Sequence, residues 1–245
     1  MPTGPAIAAA IRPVPQLADT EREAMLDLHC RHYANVSPRQ FAADLADKHW
    51  VIELREGQGR LVGFSTLRLD AFPYQGRTLR VVFSGDTIVD PAARNTPALA
   101  ASFGVFFTRL QDGGELYWLL ICKGHRTYRF LPVFFHHFFP CCTGGGDSLR
   151  PLRDAIAQAR FGPLFDPARG VLDLRGERDR LRPEDARVPD GHRRDPHTRF
   201  FLEANPGYLR GDELVCLAPL APWNLRPAAR RVIAGARTVW TDAHA

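Results

Sequence analysis

Lysine is almost missing from this 245-residue chain: Lys48 and Lys123 stand alone against 30 arginines. The skew reads as the codon bias of a GC-rich, bacterial-type genome rather than as the demand of a partner. CxxC pairs are missing too. The five cysteines, Cys30, Cys122, Cys141, Cys142 and Cys216, are odd in number, so neither a disulfide framework nor a spaced zinc site is expected. Adjacent Cys141 and Cys142 beside His136 and His137 read as a metal or thiol site or, preferably, as small residues at a helix end, and no metal is expected. No apolar stretch reaches the ~20 residues of a membrane span. The early AIAAAI run has no basic region ahead of it, so a secretory signal is not expected and a cytoplasmic location is. No internal repeat occurs.

The net charge is +5, and in RGERDRLRPEDARVPDGHRRDPHTR the two signs alternate. That pattern predicts a solvated face or loop rather than a nucleic-acid surface, while acidic or phosphate-bearing small ligands stay compatible.

The patterns predict an ordered series of elements. IRPV reads as a short strand. LADTEREAMLDLHCRHYAN reads as a helix capped by Asp19 or Thr20, and SPRQFAADLADK as a second helix capped by Ser37. Residues 49–90 read as three successive antiparallel strands, the first two joined by EGQGR. Thr96 and Pro97 suit an N-cap and first helical position, ahead of Leu99, Phe103, Phe106, Phe107 and Leu110 at helical spacing. ELYWLLICKG is a compact strand. HRTYRFLPVFFHHFFP is a helix apolar nearly all round, with Pro132 kinking it or marking its start. LRPLRDAIAQARFG and DPHTRFFLEANPG, the latter capped by Asp195, are further helices. DELVCLAPL is a strand and PWNLRPAARRVIAGAR a terminal helix. GVLDLRG would pair as an edge strand within a loop-rich excursion over residues 162–194.

One stretch carries the chemical question. VVFSGDTIVDPAARNTPALAASF, residues 81–103, sets Gly85 and Asp86 in the middle of an apolar strand. The pair either forms a β-bulge that tolerates polar residues or meets a ligand. A strand that feeds a sharp loop into a helix start also offers unpaired N–H groups and a positive dipole end, a seat for pyrophosphate.

With those residues in view, roughly positions 10–140 resemble the GNAT (Gcn5-related N-acetyltransferase) superfamily. IRPV and the helices after it are similar to the family's start, and VVFSGDTIVDPAARNTPAL to its fourth strand, bulge and acyl-CoA loop. The family loop reads R/Q-x-x-G-x-G/A; Arg94 is kept here, but Pro97 and Leu99 stand at the two glycine positions. The resemblance implies an α+β fold, a mostly antiparallel central sheet flanked by helices. Residues 1–145 would form the thioester-binding core, and 146–245 an α/β extension with an Arg-rich loop near 175–194.

It further implies that Gly85, Thr87, Ile88 and Val89 bind the pantetheine, and that Arg94, Asn95, Thr96 and Ala98 face the phosphates. Tyr128 would be the general acid for the departing thiolate, or a core aromatic. Asp86 would be the base, or a brace for the bulge; Glu53 is a weaker second choice. His136 and His137 could line the acceptor cleft or simply pack. Phe103, Phe107, Phe134 and Phe135 would form an acyl-chain pocket, or plain core. The implied activity is transfer of an acyl group, a fatty chain included, from CoA or an acyl carrier protein to an amine of a small molecule or peptide. The rival reading is a catalytically silent binding module on the same fold.

Overall fold

A computed structural model describes residues 7–94 and 96–241. In chain order these form β1 (Ile7–Pro13), α1 (Asp19–His32), β2 (Tyr33–Ala34), α2 (Pro38–Ala46), β3 (Trp50–Glu56), β4 (Leu61–Tyr74), β5 (Arg77–Val89) and α3 (Ala98–Arg109). There follow β6 (Leu116–Cys122), α4 (His125–Tyr128), α5 (Phe130–Phe134), α6 (Arg150–Phe161), β7 (Phe165–Asp166), β8 (Val171–Leu172) and β9 (Arg180–Leu181). The chain ends with α7 (Pro183–Ala186), α8 (Asp190–Arg193), α9 (Pro196–Ala204), β10 (Glu213–Pro219), α10 (Pro227–Ala234) and β11 (Val239–Trp240).

Nine strands make one sheet in the order β11-β1-β3-β4-β5-β6-β10-β8-β7. Its contacts are antiparallel except β1 with β11 and β5 with β6. This is the expected α+β architecture, a mostly antiparallel sheet flanked by helices. Strand alternation divides the core between its two faces. Ile52, Val82 and Leu120 join Phe103, Phe106 and Phe107 of α3 on one face. Val81, Phe83 and Leu119 meet Leu152 and Ile156 of α6 on the other, where Val51 and Phe64 also meet Met25 and Leu28 of α1. The last hundred residues share this sheet: β10 pairs with β6 and β11 with β1.

Local signals account for most boundaries. Ser37 Oγ accepts the Gln40 amide at 3.3 Å, and the Asp195 carboxylate accepts that of Thr198 at 2.9 Å, as their sequence positions predict. Two caps differ by a residue. α1 is capped at Ala18, whose N–H donates to Glu21 at 2.9 Å, and Pro97 rather than Thr96 precedes α3. The Phe-rich segment is not one helix. Pro132 has no N–H to return to the Tyr128 carbonyl, so the helix breaks at Arg129. After Phe134 the chain runs extended, bridging Phe135 to Leu225 and Phe139 to Leu217. The terminal helix begins only at Pro227, because Arg226 before it is held in the extended region.

Candidate active site

The Gly85–Asp86 pair is a bulge in the structure. Thr66 stands opposite Gly85 but Phe64 stands opposite Ile88, so β5 carries one residue more than β4 across this span. Asp86 takes φ 45°, the left-handed region that Asp tolerates better than most residues. The extra residue resets the alternation. Val81 and Phe83 face α6 before it, and Ile88 faces the same side after it, packed with Phe64 and the α1 side chains. Hydroxyls from β4 brace the bend: Ser65 Oγ lies 2.8 Å from Thr87 Oγ1, and Thr66 donates to Asp86 at 3.4 Å.

The sheet opens at the same place. Parallel pairing of β5 with β6 runs from Arg80–Leu116 to Ser84–Leu120 and then stops. Two cavities meet at the resulting wedge. One, of about 450 Å³, is lined by Ile88, Val89, Arg94, Thr96, Pro97 and Leu99. The other, of about 590 Å³, is lined by Asp86, Lys48, Lys123, Asp179 and Glu213 above an apolar floor of Phe83, Leu119 and Ile121. Tyr33, Thr87 and Thr127 line both.

The smaller cavity has the features of an anion seat. It sits at the start of α3, where the amides of Ala98, Leu99 and Ala100 take no acceptor among the described residues. Arg94, Arg126 and Arg129 line it. Yet Arg94 is already engaged, its Nε donating to Val89 O at 2.8 Å and its other end paired with the Asp185 carboxylate. Asp185 also accepts from His32 Nδ1 at 2.8 Å, and its carbonyl accepts from Arg126 at 2.8 Å. Burial works against its charge, but the bonds from Arg94 and His32 hold its carboxyl below the usual range. His32 Nε2 meets Asp90 at 2.6 Å. The Arg-rich excursion thus lies against the loop that leads into α3, pinned where β9 pairs with β2.

In the larger cavity, Lys123 Nζ lies 2.7 Å from Asp179 and 3.5 Å from Glu213, and 5.3 Å from the centre of the Tyr33 ring. His29 Nε2 meets the same Asp179 oxygen at 3.2 Å. Burial opposes the Lys123 ammonium, but the charges of Glu213 and Asp179 hold it above its ordinary value. Burial likewise resists Asp179, which the bonds from His29 and Lys123 keep depressed. Glu213 goes the other way, pushed up to about 7 by burial against the pull of Lys123. Burial also raises the Tyr33 phenol and lowers the Lys48 ammonium, whose Nζ donates to Asp44 O at 2.7 Å.

Of the residues singled out in the sequence, the wedge brings together Gly85, Asp86, Thr87, Ile88, Val89, Arg94 and Thr96. Asn95 lies outside the described residues, and Ala98 stands at the helix start beside the cavity. Tyr128 lies elsewhere: fully buried among Phe138, Phe200 and Phe201, it donates to Pro140 O at 3.0 Å and lines neither cavity. The core-aromatic reading describes it. Glu53 is buried in ion pairs with Arg12 and Arg55. His136 and His137 pack against the Asn224 turn, away from both cavities. Phe103, Phe107, Phe134 and Phe135 do line an apolar cavity, of about 370 Å³. It adjoins the 450 Å³ cavity at Ala100, Phe130 and Phe134, the α3 end and not the Thr87 wedge.

Tyr33, Lys123, Asp179 and Glu213 escaped the sequence reading. Glu213 is the second residue of DELVCLAPL and Lys123 the last but one of ELYWLLICKG, so charged residues near the ends of apolar strands were the available signal.

The bulged strand, its parting from β6 and the helix that starts beyond it are the arrangement that the sequence resemblance to the GNAT superfamily implies. No family model and no curated protein matches the sequence. Among solved structures, the chain is similar to a conserved protein of unknown function from Enterococcus faecalis, at 13% identity and TM-score 0.42, over 54% of this chain and 33% of that one. It is similar to a GNAT family N-acetyltransferase from Escherichia coli in complex with CoA, at 20% identity and TM-score 0.37, over 53% of this chain and 71% of that one. A GCN5-related N-acetyltransferase from Kribbella flavida shows 12% identity and TM-score 0.40, over 55% of this chain and 34% of that one. The chain therefore spans about a third of the Enterococcus and Kribbella proteins.

Proposed function

We propose that the chain is an N-acyltransferase of the GNAT type. The observation that carries the reading is the wedge: two cavities meet at Thr87, Tyr33 and Thr127, one backed by a helix start and arginines, the other by titratable groups. An acyl thioester of CoA or of a carrier protein's phosphopantetheine would lie in the first. A small-molecule or peptide amine would enter the second, its body on the apolar floor. A longer acyl chain would extend past Thr87 onto that floor.

In the step proposed, the neutral amine attacks the thioester carbonyl, a C–N bond forms, and the C–S bond breaks. Glu213 or Asp86 takes the proton the nitrogen loses. Glu213 suits the task because a base works best when its pKa is near the operating pH. Tyr33, protonated and facing both cavities, returns a proton to the thiolate, the role the sequence reading gave to Tyr128.

One observation favours the silent-module reading: Arg94, the arginine for the phosphates, is already paired with Asp185. The experiment that separates the two follows thermal stability with free CoA, acetyl-CoA and long-chain acyl-CoA, then thiol release with a panel of amines. A ligand at 100 times its Kd stabilises by ~2.7 kcal/mol. A shift with thioesters plus thiol release supports transfer. A shift with no release for any amine supports the silent module. No shift at all removes the CoA donor.

A further inference from the structure

The fold gathers three side chains of metal-ligating type that the proposed reaction does not use. Cys141, Cys142 and His197 present two Sγ atoms and one ring nitrogen, all within 4.8 Å of one another. None of the three lines the donor or acceptor cavity. The adjacent cysteines stood out in the sequence beside His136 and His137, but the imidazole that reaches them comes from 55 residues further on. Cys142 Sγ lies 3.3 Å from His197 Nδ1.

Each ligand stands on anchored backbone. The segment before the cysteines is tied to β10 by Phe139 N to Leu217 O at 2.8 Å and Leu217 N to Phe139 O at 2.7 Å. The Tyr128 hydroxyl donates to Pro140 O, directly ahead of Cys141. His197 is the second residue of α9, whose start is fixed by the Asp195 cap, and its ring tilts against Phe138 at 6.3 Å between centres. Ligands held this way lose little freedom on closing around an ion.

We infer that Cys141, Cys142 and His197 form a binding site for a thiophilic cation, Zn²⁺ in the first instance, that clasps α9 to the loop after α5. Tetrahedral zinc, with Zn–S about 2.3 Å and Zn–N about 2.0 Å, sets sulfur and nitrogen ligands roughly 3.5 Å apart and two sulfurs slightly further. The spacing between Cys142 and His197 fits a shared centre. The donor set selects zinc or Cu(I) over magnesium and calcium, which require oxygen ligands. Thr143 Oγ1, 3.2 Å from Cys141 Sγ, can donate to a coordinated thiolate. Three protein ligands leave a fourth position for water.

The inference is independent of the proposed activity. Its test is metal content of the full chain purified under reducing conditions, followed by Co²⁺ titration of the metal-free protein. One equivalent should produce thiolate-to-Co²⁺ charge-transfer absorption with tetrahedral d–d bands, and zinc should displace it. Cys142→Ser and His197→Ala should each lose the bands, while His197→Cys, which keeps a ligand, should restore them. Zinc should raise the Tm of the unaltered chain and leave that of Cys142→Ser unmoved. Bands that survive in His197→Ala or Cys142→Ser, absence of bands in the unaltered chain, or a Cys141–Cys142 disulfide that persists under reductant would each overturn the site. Circular dichroism of the metal-free variants, compared with the metal-free parent, separates lost ligation from lost folding.

Discussion

Lys48 and Lys123, the chain's two lysines, line one cavity and are set in opposite directions: burial lowers the first ammonium, and two carboxylates hold the second up. Only 27 residues line that cavity, so finding both lysines there ties the scarce residue to the site. Arginine cannot do what Lys48 can, since a guanidinium does not lose its proton in a protein. The pair should respond differently to loss of charge. Lys123→Met strands Asp179 and Glu213 without their cation and should cost about 3–5 kcal/mol. Lys48→Met removes a partly desolvated charge along with its bond to Asp44 O, a long ion pair with half-exposed Asp47 and a contact over Phe83, and should cost under about 1.5 kcal/mol. Denaturant unfolding of the two variants measures the contrast.

Glu213 should make stability depend on pH, and activity as well if it is the base. Its folded pKa, about 7, lies above the unfolded value of about 4.3, so the folded chain holds a proton that the unfolded chain releases between those pH values. Stability from this group is therefore full below pH ~4 and is lost as pH rises through 7. Glu213→Gln should flatten that slope and gain on the order of 2 kcal/mol over the parent at pH 8. If Glu213 is the base, kcat/KM in the parent should climb through an apparent pKa near 7, and the Gln variant should lack that limb. Unfolding curves and rate profiles from pH 4 to 9 check both.

Asp185 holds Arg94, Arg126 and His32 at the mouth of the cavity beside the start of α3. Asp185→Asn should free Arg94 for an incoming phosphate and tighten free CoA several-fold by calorimetry. The same change should lower stability at neutral pH by about 1–3 kcal/mol. Because the folded pKa of Asp185 is depressed, its contribution is present above the unfolded value near 4 and fades as pH falls through the folded one.

Removing the proposed proton carriers should separate binding from chemistry. Asp86→Asn and Tyr33→Phe should each lower kcat by roughly 10²-fold or less, with donor affinity unchanged. Tyr128→Phe should leave kcat alone and cost about 1 kcal/mol for the bond to Pro140. Unchanged turnover in Asp86→Asn would leave that residue as the brace of the bulge alone.

By itself the sequence determined what local chemistry controls. Ser37 and Asp195 cap their helices, the EGQGR turn sets a hairpin, and Gly85–Asp86 bends a strand, each through bonds spanning a few residues. Those signals were enough for the antiparallel strands and the bulge around the wedge. The Phe-rich run misled because periodicity cannot show whether Pro132 kinks one helix or marks the start of another. Only the tertiary structure brought together the charged groups of the larger cavity. Lys123 meets Asp179 across 56 residues, and Arg94 meets Asp185 across 91. Such pairs carry no period in the chain, because charge attraction is isotropic and needs only that the fold bring the groups together. Tyr33 replaced Tyr128 at the wedge for the same reason: one tyrosine faces an opening and the other a core, a difference made by packing from distant elements rather than by neighbours in sequence.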